Sequence, residues 1–198
     1  MIENLTIEVD DVPAADAFYR ALAVGPRVHP APMTTPLTGF RGYVLGLQAS
    51  QPADVDALVA SALEAGGQIV KEASRSMRRY GATLTAPDGT VVRVSSPART
   101  NAGPASRELE EIVLHLGVDE LARTRAFYLE RGLELSKRLG RLRVETADGA
   151  VGLSFTVREK LARDAGVEAD GDRRAHGLIL VGGAESFIDP DGFVWVAA

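Results

Sequence analysis

The segment EVDDVPAADAFY, residues 8–19, returns in looser form as GVDELARTRAFY, residues 117–128. Each copy has a valine followed by two acidic residues and closes on Phe-Tyr. A second landmark recurs in the same order, Pro87-Asp88-Gly89 as Pro190-Asp191-Gly192. The first pair lies 109 residues apart and the second 103, so the chain holds two copies of one supersecondary unit, the second slightly shorter. Between them SSPARTNAGPASR, residues 95–107, is rich in Ser, Pro, Ala and Gly without an apolar period and reads as a linker. The expected organisation is a first module over 1–97, a linker over 98–109 and a second module over 110–198.

Around the first landmark, LTIEV sets Leu5, Ile7 and Val9 against Thr6 and Glu8, the period-two pattern of a strand with one buried face. Asp10, Asp11 and Pro13 then start a helix that carries Phe18 and Leu22 and stops at Gly25-Pro26. A second helix begins at Pro52, repeats Val55, Leu58, Val59 and Ala62 at helical spacing, and ends at Gly66-Gly67. Strands are expected near 40–47, 68–71, 82–85 and 91–95, the last two joined by a turn through Ala86-Pro87-Asp88-Gly89. The second copy repeats this with IVLHLGV (112–118), a helix over about 120–130, and strands near 133–139, 142–146 and 151–155. Thr156-Val-Arg-Glu159 has capping-box spacing and predicts a short helix ending at Gly166. HGLILV (176–181) and FVWVAA (193–198) supply closing strands. The fold class is α+β: two βαβββ modules, each with one sheet face under helices and another left over.

Composition narrows the function classes. The 198 residues are 45% hydrophobic and 25% charged, which suits a globular chain. There is no Cys, so neither a disulfide framework nor a thiolate metal site can form. No apolar stretch approaches membrane-spanning length, and a cytoplasmic location is expected. A net charge of −5 and a pI near 5.3 weigh against a nucleic-acid partner.

A strand ending in Val-x-acidic, a helix carrying Phe-Tyr and a terminal hairpin through Pro-Asp-Gly, all doubled in one chain, resemble the paired modules of the vicinal oxygen chelate superfamily, the glyoxalase, bleomycin-resistance and extradiol-dioxygenase group. The resemblance covers essentially the whole chain. It implies curved mixed sheets whose leftover faces enclose a cavity, where family enzymes hold a divalent metal. Carried over one at a time, the family's ligand positions fall on Asn4 and Arg93 in the first module and on Val113 and Val196 in the second. No normal ligand for a catalytic dication stands at any of them, so no metal and no cofactor is expected. His115 and His176 with Glu8 keep a two-His, one-carboxylate alternative open, that of a dioxygenase-like metal enzyme.

Without a metal, Arg93 is the informative residue. It stands where relatives carry a ligand, and Val92 and Val94 flank it on the core side, so its guanidinium should point into the cavity and meet a carboxylate, phosphate or enolate-like oxygen. Asn4, Thr6 and His176 are expected to line the same space, and Tyr80 to stack on a ligand. The favoured reading is a protein that binds a small anionic or partly hydrophobic molecule in a metal-free cavity. The alternative is a lyase, isomerase or cyclase in which Glu8 or His115 is the base and Arg93 stabilises an oxyanion. Either a monomer or a homodimer is compatible with two modules in one chain.

Overall fold

The computed structural model describes residues 2–76, 79–138, 141–144, 151–183 and 185–198. Strand β1 (Asn4–Val9) leads into helix α1 (Val12–Ala21), whose first turn is capped by the Asp11 side chain accepting from Ala14 N at 3.0 Å. Strands β2 (Val28–Pro32) and β3 (Tyr43–Ala49) precede helix α2 (Pro52–Glu64), followed by β4 (Gln68–Arg75), β5 (Tyr80–Thr85) and β6 (Val91–Ser96). Beyond the linker come β7 (Leu109–Val118), α3 (Leu121–Glu130), β8 (Leu135–Arg138), β9 (Arg141–Val144) and β10 (Gly152–Val157). Helix α4 (Arg158–Ala165) and strands β11 (Leu178–Val181), β12 (Phe187–Ile188) and β13 (Val194–Val196) complete the chain. The strand ends expected at Leu139 and at Thr146 lie outside the described residues. No described helix is long and apolar enough to cross a membrane.

Two complete βαβββ runs are present, β3-α2-β4-β5-β6 and β7-α3-β8-β9-β10. They join edge to edge through the antiparallel pair β3·β7 into one eight-stranded sheet of order β4-β5-β6-β3-β7-β10-β9-β8. Each run closes on a parallel pair, β3·β6 in one and β7·β10 in the other. The strands left at the two ends of the chain form a five-stranded sheet of order β12-β13-β11-β1-β2, joined through the antiparallel pair β1·β11. The result is a mixed α+β protein with two mixed sheets and four helices among the described residues.

Alternation in the strands sends side chains to two cores. Leu45, Val92, Leu114 and Phe155 from the eight-stranded sheet meet Leu5, Ile7, Leu180 and the aromatic pair Phe18-Tyr19 in the larger one. The opposite face of the same sheet supplies Val44 and Val91, which pack with Phe40 against Leu161, Ala162 and Ala165 of α4. Helix α4 therefore lies on the face away from α2 and α3.

The start of α4 differs from the capping box that Thr156 and Glu159 suggest. Thr156 and Val157 are still in strand register with Gly117 and Val118, so the chain passes from strand directly into helix. The Thr156 hydroxyl is buried without a partner, and Glu159 instead accepts from Arg173 at 2.6 Å. The C-terminus behaves as expected: Gly166 takes the left-handed conformation at φ 88°, and Lys71 Nζ donates to the carbonyl of Asp164 at 3.0 Å.

Candidate functional site

The face under α4 brings together several charged and polar side chains. Register defines two neighbouring rows on it. In one, Thr83, Arg93, Gly46, Val113 and Gly152 lie side by side across β5, β6, β3, β7 and β10. In the next, Val91, Val44, His115, Ser154 and Arg143 follow across β6, β3, β7, β10 and β9. Arg93 and His115 thus share a face, one row and two strands apart.

Glycine at position 46 is what lets His115 lie flat on the sheet. A Cβ there would come within 2.6 Å of His115 Nε2. On its other side the ring is held by Ser154, whose Oγ is 2.5 Å from Nδ1. Burial, and then the positive field of Arg141, Arg93, Arg143 and Arg79, push the imidazole down to about 3. His115 is accordingly neutral at physiological pH.

The arginines around it are tied to different degrees. Arg141 pairs with Asp164 of α4 at 2.9 Å, and Arg143 pairs with Glu111. Arg79 donates to Gln48 Oε1 at 2.8 Å. Arg93 is the exception, because its Nη2 is buried with no hydrogen-bond partner. Burial, followed by the nearby Arg141, holds its pKa below the ordinary guanidinium value. Leaving a buried charged donor unpaired costs at least about 1–3 kcal/mol, and an oxygen of an anion is the group that would satisfy it.

The other residues singled out from the sequence stand elsewhere. Asn4, Thr6 and Glu8 are partly buried on β1 in the five-stranded sheet, on the face shared with Ile179 and Val181. Tyr80 faces the large core side of β5 and donates to Asp56 at 2.7 Å, with the Arg75 guanidinium 5.3 Å from its ring centre. His176 is buried just before β11, stacked 3.8 Å from Phe193, with its ring nitrogens 2.7 Å from Arg41 O and 3.1 Å from Asp191 O. Of the expected set, Arg93 and His115 share the face under α4, while Asn4, Thr6 and Glu8 share a face of the other sheet. Sequence reading missed Gly46, Ser154, Arg141 and Arg143 as neighbours of Arg93 and His115. The signal was there in β10, where small or polar Gly152, Ser154 and Thr156 alternate with Leu153, Phe155 and Val157.

The four positions that the superfamily resemblance marks for metal ligands fall into two pairs. Asn4 and Val196 are linked through Val181 in the five-stranded sheet, and Arg93 and Val113 through Gly46 in the eight-stranded one. The side chains at these positions are an amide, a guanidinium and two valines. No cluster of three His, Cys, Asp or Glu suited to a metal occurs among the described residues. A dication does not fit a position occupied by Arg93 with Arg141 and Arg79 bearing on it.

No family model matches the chain, and no curated protein matches it. Solved structures do. The chain is similar to glyoxalase I from Zea mays, with a TM-score of 0.60 and 15% identity over 99% of this chain and 91% of that one. A putative dioxygenase from Bacillus subtilis subsp. subtilis str. 168 matches 100% of this chain and 76% of its own at a TM-score of 0.52 and 9% identity. A glyoxalase/bleomycin resistance protein from Albidiferax ferrireducens T118 is 23% identical over 47% of this chain and 95% of that one, with a TM-score of 0.41. The chain has the fold of glyoxalase I.

Proposed function

We propose that this protein binds a small anion, a carboxylate or phosphate ester with an apolar portion, between α4 and the eight-stranded sheet, and that it does so without a metal. The observation that carries this reading is the buried, unpaired Nη2 of Arg93. Arg79 and Arg141 add positive potential to the same face, partly offset by Asp164, and the apolar cluster of Val44, Val91 and Leu161 lies beside it. Binding is favoured over proton-transfer catalysis because His115, held near 3, is too weak a base to take a proton at neutral pH. Glu8, the other candidate base, stands on the other sheet.

The test is a thermal-shift screen of organic carboxylates and phosphate esters, followed by calorimetry of a hit and of its neutral amide analogue. Arg93→Met keeps much of the side-chain length and removes the charge. It should weaken the acid by roughly tenfold to a hundredfold and the amide far less. Equal losses for both would assign Arg93 to scaffold and end the proposal.

A further inference from the structure

We infer that a groove on the opposite side of the protein, between the end of α3 and the hairpin β12–β13, is a second binding site whose ligand is a lipophilic organic cation. The C-terminal hairpin lacks a helix that its counterpart in the first half carries. Strands β11, β12 and β13 are counterparts of β3, β5 and β6: β11·β13 is parallel as β3·β6 is, β12·β13 is antiparallel as β5·β6 is, and each hairpin turns through Pro-Asp-Gly. Between β3 and β5 the chain runs through residues 50–79, and α2 covers the sheet there with Val55, Leu58 and Ala62. Between β11 and β12 it has only residues 182–186. Among the described residues no helix lies between β11 and β12.

Beside that short link opens a groove of about 780 Å³ with Gly182 and Gly183 in its wall. This size suits a drug-sized molecule. Ile2, Val144, Leu153 and Trp195 are its buried apolar floor, and Phe187 stacks on Trp195 with ring centres 5.3 Å apart. The rim carries Glu130, Glu134 and Glu185, all exposed and without a hydrogen bond or ion pair among the described residues. Arg131 is the only cation among the described lining residues, and it is engaged: its guanidinium lies 3.5 Å from the Phe127 ring centre and 5.0 Å from that of Phe187.

Three unpaired carboxylates against one occupied arginine select for positive charge. Phe187 is already stacked on Trp195 and lies 5.0 Å from the Arg131 guanidinium, so selection for positive charge falls to the three carboxylates. An apolar floor requires that the cation carry hydrophobic bulk, and removal of that bulk from water supplies the binding energy. This inference does not depend on the anion site, which lies on the other face of the eight-stranded sheet and selects the opposite charge.

The experiment uses two ions of the same shape and opposite charge, tetraphenylphosphonium and tetraphenylborate. Trp195 is the sole tryptophan of the chain, so its fluorescence reports on the groove directly. Tetraphenylphosphonium should change that fluorescence saturably and bind at least tenfold more tightly than tetraphenylborate. The combined variant Glu130→Gln, Glu134→Gln, Glu185→Gln should lose that preference while keeping its melting temperature. If it melts lower, Glu185→Gln alone carries the comparison and should weaken tetraphenylphosphonium about threefold. Equal binding of the two ions, no saturable change with either, or a preference that survives in the variants would overturn the assignment.

Discussion

The Tyr128 phenol donates to Asp189 Oδ2 at 2.8 Å, and Tyr19 donates to Asp88 Oδ2 at the same distance in the first half. These two bonds fasten the Phe-Tyr helix of each half to its Pro-Asp-Gly turn. They are not made by matching residues. The turns align Asp88 with Asp191, yet the partner of Tyr128 stands two residues earlier. Asp191 is used instead to accept from Asp119 N at 2.9 Å and from Thr124 Oγ1 at 3.2 Å. Trp195 Nε1 completes the set by donating to the Tyr128 oxygen at 3.0 Å.

Tyr128→Phe should therefore destabilise the protein more than Tyr19→Phe. Asp189 is buried and its carboxyl is pushed up by burial, so the loss of one donor leaves it poorly solvated, whereas Asp88 is partly open to water. A hydrogen bond to a charged group is worth about 1.5–3 kcal/mol, and Tyr128→Phe should fall in that range by urea unfolding. A larger loss for Tyr19→Phe would mean that burial of the acceptor does not set the cost.

Much of this was legible in the sequence, and the reason is physical. Strand β1 alternates strictly and β6 and β7 interrupt their apolar runs with Arg93 and His115, so Leu5, Val92 and Leu114 announce their core face, and α2 shows its apolar stripe between Pro52 and Gly66. Strand β2, with two prolines in VHPAP, gives no such signal and is held by its parallel pairing to β1. Strand β12 has two residues and owes its existence to β13. The candidate site was half legible. Arg93 and His115 announce themselves by polarity in apolar strands, but Gly46 matters only through the ring lying over it. That contact depends on register between distant strands.

The linker is pinned to the start of α2, and Asp54 is the pin. Its carboxylate, fully buried, accepts from Ser50 Oγ at 2.6 Å and from Ser106 N at 2.7 Å, while Asn101 Oδ1 caps Ala53 N at 2.8 Å. Asp54→Ala should cost about 2 kcal/mol and accelerate amide hydrogen exchange across residues 101–108. Unchanged exchange there would show that the linker is held by other contacts.

Gly46→Ala tests the packing of His115. The added methyl would meet Nε2 at 2.6 Å and Val113 O at 3.1 Å, so the ring must leave its place or the strands must part. A loss of about 1–3 kcal/mol is expected, together with a changed His115 resonance by NMR. A variant as stable as the parent, with that resonance unmoved, would place the ring away from Gly46.

Metal removal should do nothing. With an amide, a guanidinium and two valines at Asn4, Arg93, Val113 and Val196, the positions marked by the superfamily resemblance, incubation with a chelator is expected to leave the melting temperature unchanged. Elemental analysis that finds about one divalent ion per chain, lost on His115→Ala, would reverse this expectation.

The pH dependence of stability should carry the mark of His115. In the unfolded chain the ring takes a proton as pH falls through about 6.5, whereas in the fold burial and the surrounding arginines delay protonation to about 3. Between those values the unfolded state binds a proton that the folded state refuses. Stability therefore falls with pH across that window, by about 1.4 kcal/mol per pH unit from this one group. His115→Gln has no such proton to bind. On going from pH 7.5 to pH 5 the parent should lose roughly 2 kcal/mol more than the variant by urea unfolding. Equal losses in the two proteins, or an imidazole resonance that titrates near 6.5 in the folded parent, would show that His115 is open to solvent and clear of the arginine field.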